Sequence, residues 1–136
     1  MKKKTYTIAS DIGKASTPPS SVYSDPRIFE DQKENIFAKT WQFIPDATKV
    51  KAPGHVLPFS LLDGCLSEPL LLTRDDKGDL CCISNVCTHR GALVVEGEGH
   101  LRNLRCRYHG RKFQLDGKFI SMPEFEGVSG FPNSCD

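Results

Sequence analysis

No stretch of the chain approaches the roughly 20 consecutive apolar residues that a membrane-spanning helix needs. A membrane-anchored protein is therefore not expected. Nor does one sign of charge dominate, since 18 Lys and Arg stand against 17 Asp and Glu for a formal net charge of +1. That balance offers no footprint for nucleic acid and no broad attraction to an anionic membrane. The start, Met1-Lys2-Lys3-Lys4-Thr5-Tyr6-Thr7-Ile8, is positive like a secretory leader, but no apolar run follows before Asp11 and Lys14. It reads as a short solvated tail. A chain without a leader is expected in the cytoplasm, where its six cysteines serve burial or metal binding rather than disulfides. Histidine is scarce as well, with four in 136 residues, so chemistry built on imidazole has few positions to use.

What is present fits one hydrophobic core plus an arm. Residues 1–23 are rich in Ser, Thr, Lys and Pro around Thr17-Pro18-Pro19-Ser20-Ser21, and are expected to form a flexible arm. A helix is expected within 24–41, running to about Lys39, because Asp25 can cap its orphan amides and Pro26 suits the first helical position. Ile28, Phe29, Ile36 and Phe37 gather on one side of it, with Glu30, Lys33 and Glu34 on the other. These apolar residues, and Trp41 just beyond, are expected in a core.

Residues 42–136 are expected to form the main domain, and from Ala52 onward the texture is β-prone runs broken by Gly, Pro and Asp. Gly54 to Leu61 reads as a strand. Residues 69–85, with the turn Asp75-Asp76-Lys77-Gly78-Asp79, read as an antiparallel hairpin. A second hairpin is expected at Glu96-Gly97-Glu98-Gly99, and a third joins Lys112-Phe113-Gln114 to Phe119-Ile120-Ser121. Cys81 and Cys82 are adjacent in a strand and must face opposite sides, so at least one is expected in the core. Cys65 and Cys135 have no His at matching spacing, and Cys135 falls at an end expected to fray. His55 and His100 are expected as surface residues.

Two elements carry the chemistry: Cys87-Thr88-His89 and Cys106-Arg107-Tyr108-His109. Each follows an expected strand, so each puts one thiolate and one imidazole into a loop. Those are the donors of an asymmetric [2Fe–2S] cluster in which two His replace two Cys on one iron. Side chains at i and i+2 of an extended segment lie about 6.5–7 Å apart, which suits two neighbouring metals better than one. A structural zinc site could use the same four residues, although zinc knuckles place at least two residues between paired ligands.

The stretches Cys87-Thr88-His89-Arg90-Gly91-Ala92-Leu93 and Cys106-Arg107-Tyr108-His109-Gly110 resemble the cluster loops of Rieske non-haem iron ring-hydroxylating oxygenase α subunits. Ile28-Phe29 through Trp41 is similar to the helix that precedes their Rieske domain, so the resemblance spans about residues 24–125. It implies a mainly β Rieske fold of small antiparallel sheets, preceded by an N-terminal helix, with cluster loops at 87–92 and 106–111. It implies a Rieske [2Fe–2S] cofactor on Cys87, His89, Cys106 and His109, and electron transfer as the function. The implied partners are an electron donor, a reductase or ferredoxin, and a mononuclear iron oxygenase domain or subunit; a homo-oligomer is the implied assembly. The chain departs from the family at Arg107, where Pro is usual, and at Arg111, where Trp is usual. The second change is expected to put charge on an otherwise aromatic surface.

High-potential members of the wider family resemble one another in a loop disulfide, a Ser after the second-loop Gly and a nearby Tyr hydroxyl. Here Ala92 and Tyr108 stand at the extra-cysteine sites, with Arg111 and Phe113 at the other two. A potential at the low end of the span from about −150 to +300 mV is expected, with electron uptake coupled to proton uptake at the His rings. The catalytic iron of the oxygenases needs two further His and a carboxylate. His55 and His100 have no such setting, so no catalytic residue is assigned and this chain alone is not expected to hydroxylate. It reads as a truncated, excised or separated Rieske portion. The alternative is a stand-alone Rieske ferredoxin, which the helical preface disfavours; a zinc-stabilised interaction module is a more distant third.

Overall fold

The computed structural model describes residues 6–44 and 46–133, and it divides the chain into units at Met1–Gln42 and Phe43–Asp136. Cys135 lies outside the described residues.

In the first unit a single turn, α1 (Ser21–Ser24), precedes α2 (Pro26–Asn35). The Asp25 carboxylate accepts the Arg27 N–H at 3.0 Å and Pro26 occupies the first turn, the capping that the sequence predicts. The helix is shorter than expected. Its regular dihedrals end at Ile36 (φ −120°, ψ −69°), and only a 3₁₀ turn at Phe37–Lys39 follows. Side chains stop it: the Thr40 hydroxyl donates to the Ile36 carbonyl at 2.9 Å, and the Gln42 amide donates to the Phe37 carbonyl at 3.0 Å. Both carbonyls are thereby satisfied without another helical turn. Trp41 therefore sits off the helical stripe and is exposed, as are Phe29 and Ile36, so their expected place in a core is not realised.

In the second unit, Asp46 opens a 3₁₀ turn at Ala47–Lys49 by accepting the Thr48 N–H at 2.8 Å. The turn delivers Val50, fully buried, beneath the first sheet. That sheet has the order β3-β2-β1-β4, from β1 (His55–Leu61), β2 (Glu68–Arg74), β3 (Leu80–Ser84) and β4 (Gly99–His100). Every pairing in it is antiparallel, with Leu57 opposite Leu72 and Leu71 opposite Ile83. Strand β4 covers only His55 and Val56 of β1, so Pro58 lies where β1 is an edge and a missing N–H is tolerated.

Alternation along β1 and β2 sends apolar residues to both faces of this sheet. Leu57 and Leu72 pack with Val50 on one side, while Val56 and Leu71 join Cys87, Val94, Leu104 and Cys106 on the other. The second sheet, β5-β6-β7, comprises β5 (Leu104–Arg105), β6 (Lys112–Phe113) and β7 (Phe119–Ser121). The buried Thr73 hydroxyl of β2 donates to the Leu115 carbonyl, tying the β6–β7 hairpin to the first sheet.

Two expectations are corrected. The hairpin expected at 96–99 does not form, because Gly99–His100 pairs with β1 instead. Neither Cys81 nor Cys82 reaches the core; Cys81 is half-buried and Cys82 exposed. The outer position of β3 in the sheet order accounts for this. Among the described residues no helix is long and apolar enough to cross a membrane.

Candidate metal centre

The two loops share one backbone design. In the first, the Cys87 N–H donates to the Ala92 carbonyl at 2.8 Å and the Cys87 carbonyl accepts the Gly91 N–H at 3.0 Å. In the second, the Cys106 N–H donates to Arg111 at 2.9 Å and its carbonyl accepts the Gly110 N–H at 3.0 Å. Both closures need a left-handed residue four places after the Cys, and Gly91 (φ +67°) and Gly110 (φ +77°) supply it at no steric cost. The His differs in offset, two places after Cys87 and three after Cys106, so the loops are alike in backbone but not in sequence.

This folding separates the donors by type. Cys87 and Cys106 are 3 % and 1 % exposed and belong to the main core. His89 is half-buried and His109 exposed, with ring centroids 4.7 Å apart. Sulfurs pair inside and imidazoles outside. Burial pushes the Cys87 thiol above its ordinary pKa, opposed by the His89 and Arg90 N–H groups at its sulfur and reinforced by the Cys106 thiol beside it. The His89 imidazole is held below its usual value, first by desolvation, then by His109, Arg90 and Arg111. A bound cation inverts the thiol's preference, because it stabilises thiolate.

The donor set fits a two-iron cluster: two soft sulfurs for one iron and two imidazoles for the other. Among the described residues no three His, Cys, Asp or Glu side chains gather as ligands of a single ion. The other histidines are elsewhere. His55 and His100 are cross-strand neighbours on β1 and β4, with ring centroids 5.7 Å apart. A groove of about 450 Å³ passes beside Thr88, floored by Ile83, Val86, Val94 and Phe113, and none of the four donors lines it.

Three residues support the loops in ways their sequence context does not show. Asn85, 3 % exposed, donates to the Val95 carbonyl at 2.7 Å and accepts the Val95 N–H at 2.9 Å. It closes the base of the first loop like a backbone bridge; its only sequence signal is an amide two residues before Cys87. Phe125 lies edge-on to His89 with centroids 6.3 Å apart. Arg111, expected at the surface, is buried. On the open side, exposed Tyr108 lies against the His109 ring at 3.8 Å.

Comparison with known proteins agrees with this architecture. The Rieske [2Fe-2S] domain family matches residues 40–132. Choline monooxygenase of Amaranthus tricolor is 34 % identical over 110 residues, 81 % of this chain but 24 % of the relative. The quaternary ammonium Rieske monooxygenase CntA superposes with a TM-score of 0.78 at 28 % identity, covering 90 % of this chain and 33 % of that one. Naphthalene 1,2-dioxygenase superposes with a TM-score of 0.67 at 27 % identity, covering 79 % and 24 %. The chain thus spans about a quarter to a third of the proteins it resembles. It belongs to the Rieske [2Fe–2S] family, and its match within that family is the Rieske domain of oxygenase α subunits.

Proposed function

We propose that Cys87 and Cys106 hold one iron of a [2Fe–2S] cluster, that His89 and His109 hold the other, and that the chain passes single electrons through it. Held this way, the cluster supplies reversible one-electron chemistry. The observation that carries the reading is the sorting of donors, with buried thiols paired behind outward-facing imidazoles. Around it, the core keeps water from the sulfurs, the His89 and Arg90 N–H groups point at one of them, and exposed His109 offers a short path to a docked partner.

On this reading residues 42–136 are the Rieske domain, 24–41 its helical preface and 1–23 an arm. The chain acts as the Rieske portion of an oxygenase α subunit whose catalytic iron lies in a separate domain or subunit. The oxygenase relatives support this over a free ferredoxin, because matches of 81–90 % of the chain reach beyond the Rieske family span of 40–132. A reductase or ferredoxin is the electron donor, the cytoplasm the location and a homo-oligomer the assembly. Substrate choice belongs to the catalytic domain, so the relatives' substrates do not transfer to this chain.

The test is iron, zinc and acid-labile sulfide analysis of natively purified protein, with electron paramagnetic resonance of the reduced form. Paired iron and sulfide with a Rieske-type signal are expected. Zinc without sulfide would establish a structural ion instead. Cys106→Ser is expected to lose the cluster, and full iron with an unchanged spectrum in that variant would remove Cys106 from the ligand set. Electron delivery to an added oxygenase separates a ferredoxin from an oxygenase portion.

A further inference from the structure

Arg111 is 2 % exposed. Its guanidinium carbon lies 5.0 Å from the Phe119 ring centroid, 5.5 Å from that of Phe131 and 5.7 Å from that of Phe113. Rings from β6, β7 and the segment that follows them thus close on one planar cation. A guanidinium can stack on aromatic faces in a way that a compact ammonium cannot.

The Phe131 wall comes from residues 122–133, which form neither helix nor strand. Backbone bonds hold this segment weakly: the Phe125 N–H to the Met122 carbonyl and the Val128 N–H to Phe125 are both 3.4 Å, and the Phe131 N–H to Val128 is 3.3 Å. Side chains hold it better. Met122 is buried, Pro123 lies so near Gly110 that a Cβ there would come within 3.2 Å of it, and the Phe131 ring lies 5.2 Å from Phe119 and 5.0 Å from Phe125. Phe125 in turn flanks His89. Arg111 also ties into the second loop, since its carbonyl accepts the Cys106 N–H.

We propose that Arg111 is a positioning residue for the cluster site: its caged guanidinium anchors the 122–133 strap through Phe131, and the strap holds Phe125 as an apolar wall on the His89 flank. The role rests on the cluster reading above. It gives the arginine at this position a packing role: the planar cation is the surface on which Phe113, Phe119 and Phe131 close. The wall keeps water from one imidazole, and the hydrophobic shell around a metal site sets its dielectric and potential.

Three variants of the iron-loaded chain test this. Arg111→Lys keeps the charge and loses the planar face, Phe131→Ala opens the cage from the strap side without touching the second loop, and Phe125→Ala removes the wall itself. Iron and acid-labile sulfide content, amide hydrogen exchange of 122–133 and the g-values of the reduced cluster are measured on each. Arg111→Lys and Phe131→Ala are expected to raise exchange in 122–133 about tenfold, equivalent to about 1.4 kcal/mol of lost ring contact. Both should shift the g-values in the direction of Phe125→Ala. In the Arg111→Lys/Phe125→Ala double variant the shift should be no larger than in Phe125→Ala alone, because both act through one ring. Unchanged exchange in Phe131→Ala, or a fully additive double variant, overturns the role, the second by showing that Arg111 acts on the cluster directly. Should Arg111→Lys fail to fold, Phe131→Ala decides. Wild-type protein without acid-labile sulfide overturns the cluster reading and this role together, whereas unchanged exchange with normal sulfide overturns the role alone.

Discussion

Asn85 fills both hydrogen-bonding positions of Val95 from a buried site, so its removal strands a donor and an acceptor away from water. Asn85→Leu is expected to cost about 1–3 kcal/mol for each group left unsatisfied, seen as a lower urea midpoint and faster loss of iron to a chelator. Asn85→Asp loses the donor to the Val95 carbonyl and sets a buried carboxylate against it, and should cost at least as much as Asn85→Leu. The same scale sets the potential. Hydrogen bonds to cluster sulfurs raise it, and at the positions associated with the high end Ala92 and Tyr108 bring no cysteine pair, Arg111 no serine and Phe113 no hydroxyl. Redox titration should give a midpoint in the lower part of the family span, and a value above about +100 mV would refute the hydrogen-bond argument. That Cys87, Cys106, His89 and His109 come from two paired loops was legible, because their types and spacing are uncommon together. Asn85 was not, since one Asn at a strand end says nothing of the partner it meets ten residues later.

The β6–β7 hairpin turns on Asp116, whose carboxylate accepts the Lys118 N–H at 3.0 Å and its ammonium at 2.7 Å. The Lys118 side chain first, and its backbone N–H second, hold the Asp116 carboxyl below the ordinary carboxylate range. A folded-state pKa below the unfolded value of about 3.9 adds stability that is present above that value and is lost as pH falls through it toward the folded pKa. Asp116→Asn should therefore show a shallower loss of melting temperature on acidification below about pH 4 than the wild-type protein; parallel curves would remove Asp116 from the acid limb. Turn chemistry of this kind was readable in advance from Asp116-Gly117-Lys118, as was the 69–85 hairpin. The pairing of Gly99–His100 with β1 is not legible in 96–99, because glycines mark a change of direction without saying which strand receives the chain. The end of α2 is not legible either, since Thr40 and Gln42 stop it through side-chain bonds that a hydrophobic period does not register.

Cys87 and Cys106 belong to the core that joins the two sheets, so on the proposed ligand set metal binding and packing are coupled across the second unit. Removing iron and sulfide should lower the melting temperature and raise amide exchange in 87–92 and 106–111 first, with β1 to β3 protected longest, because binding to the folded state alone is stabilising. Equal melting temperatures for loaded and stripped protein would uncouple the two. The sequence by itself determined the proposed donor set, the mainly antiparallel β character, the turns at 75–79 and 116–118 and the absence of a long apolar run, since each depends on residue type and on neighbours within a few positions. Only the tertiary structure decided that the thiols turn inward while the imidazoles turn outward, that β4 joins β1, and that Arg111 sits within a cage of phenylalanines rather than in water. The physical reason is range: burial and cation–π packing depend on surfaces brought together from distant parts of the chain, and no local pattern encodes which face a side chain will find.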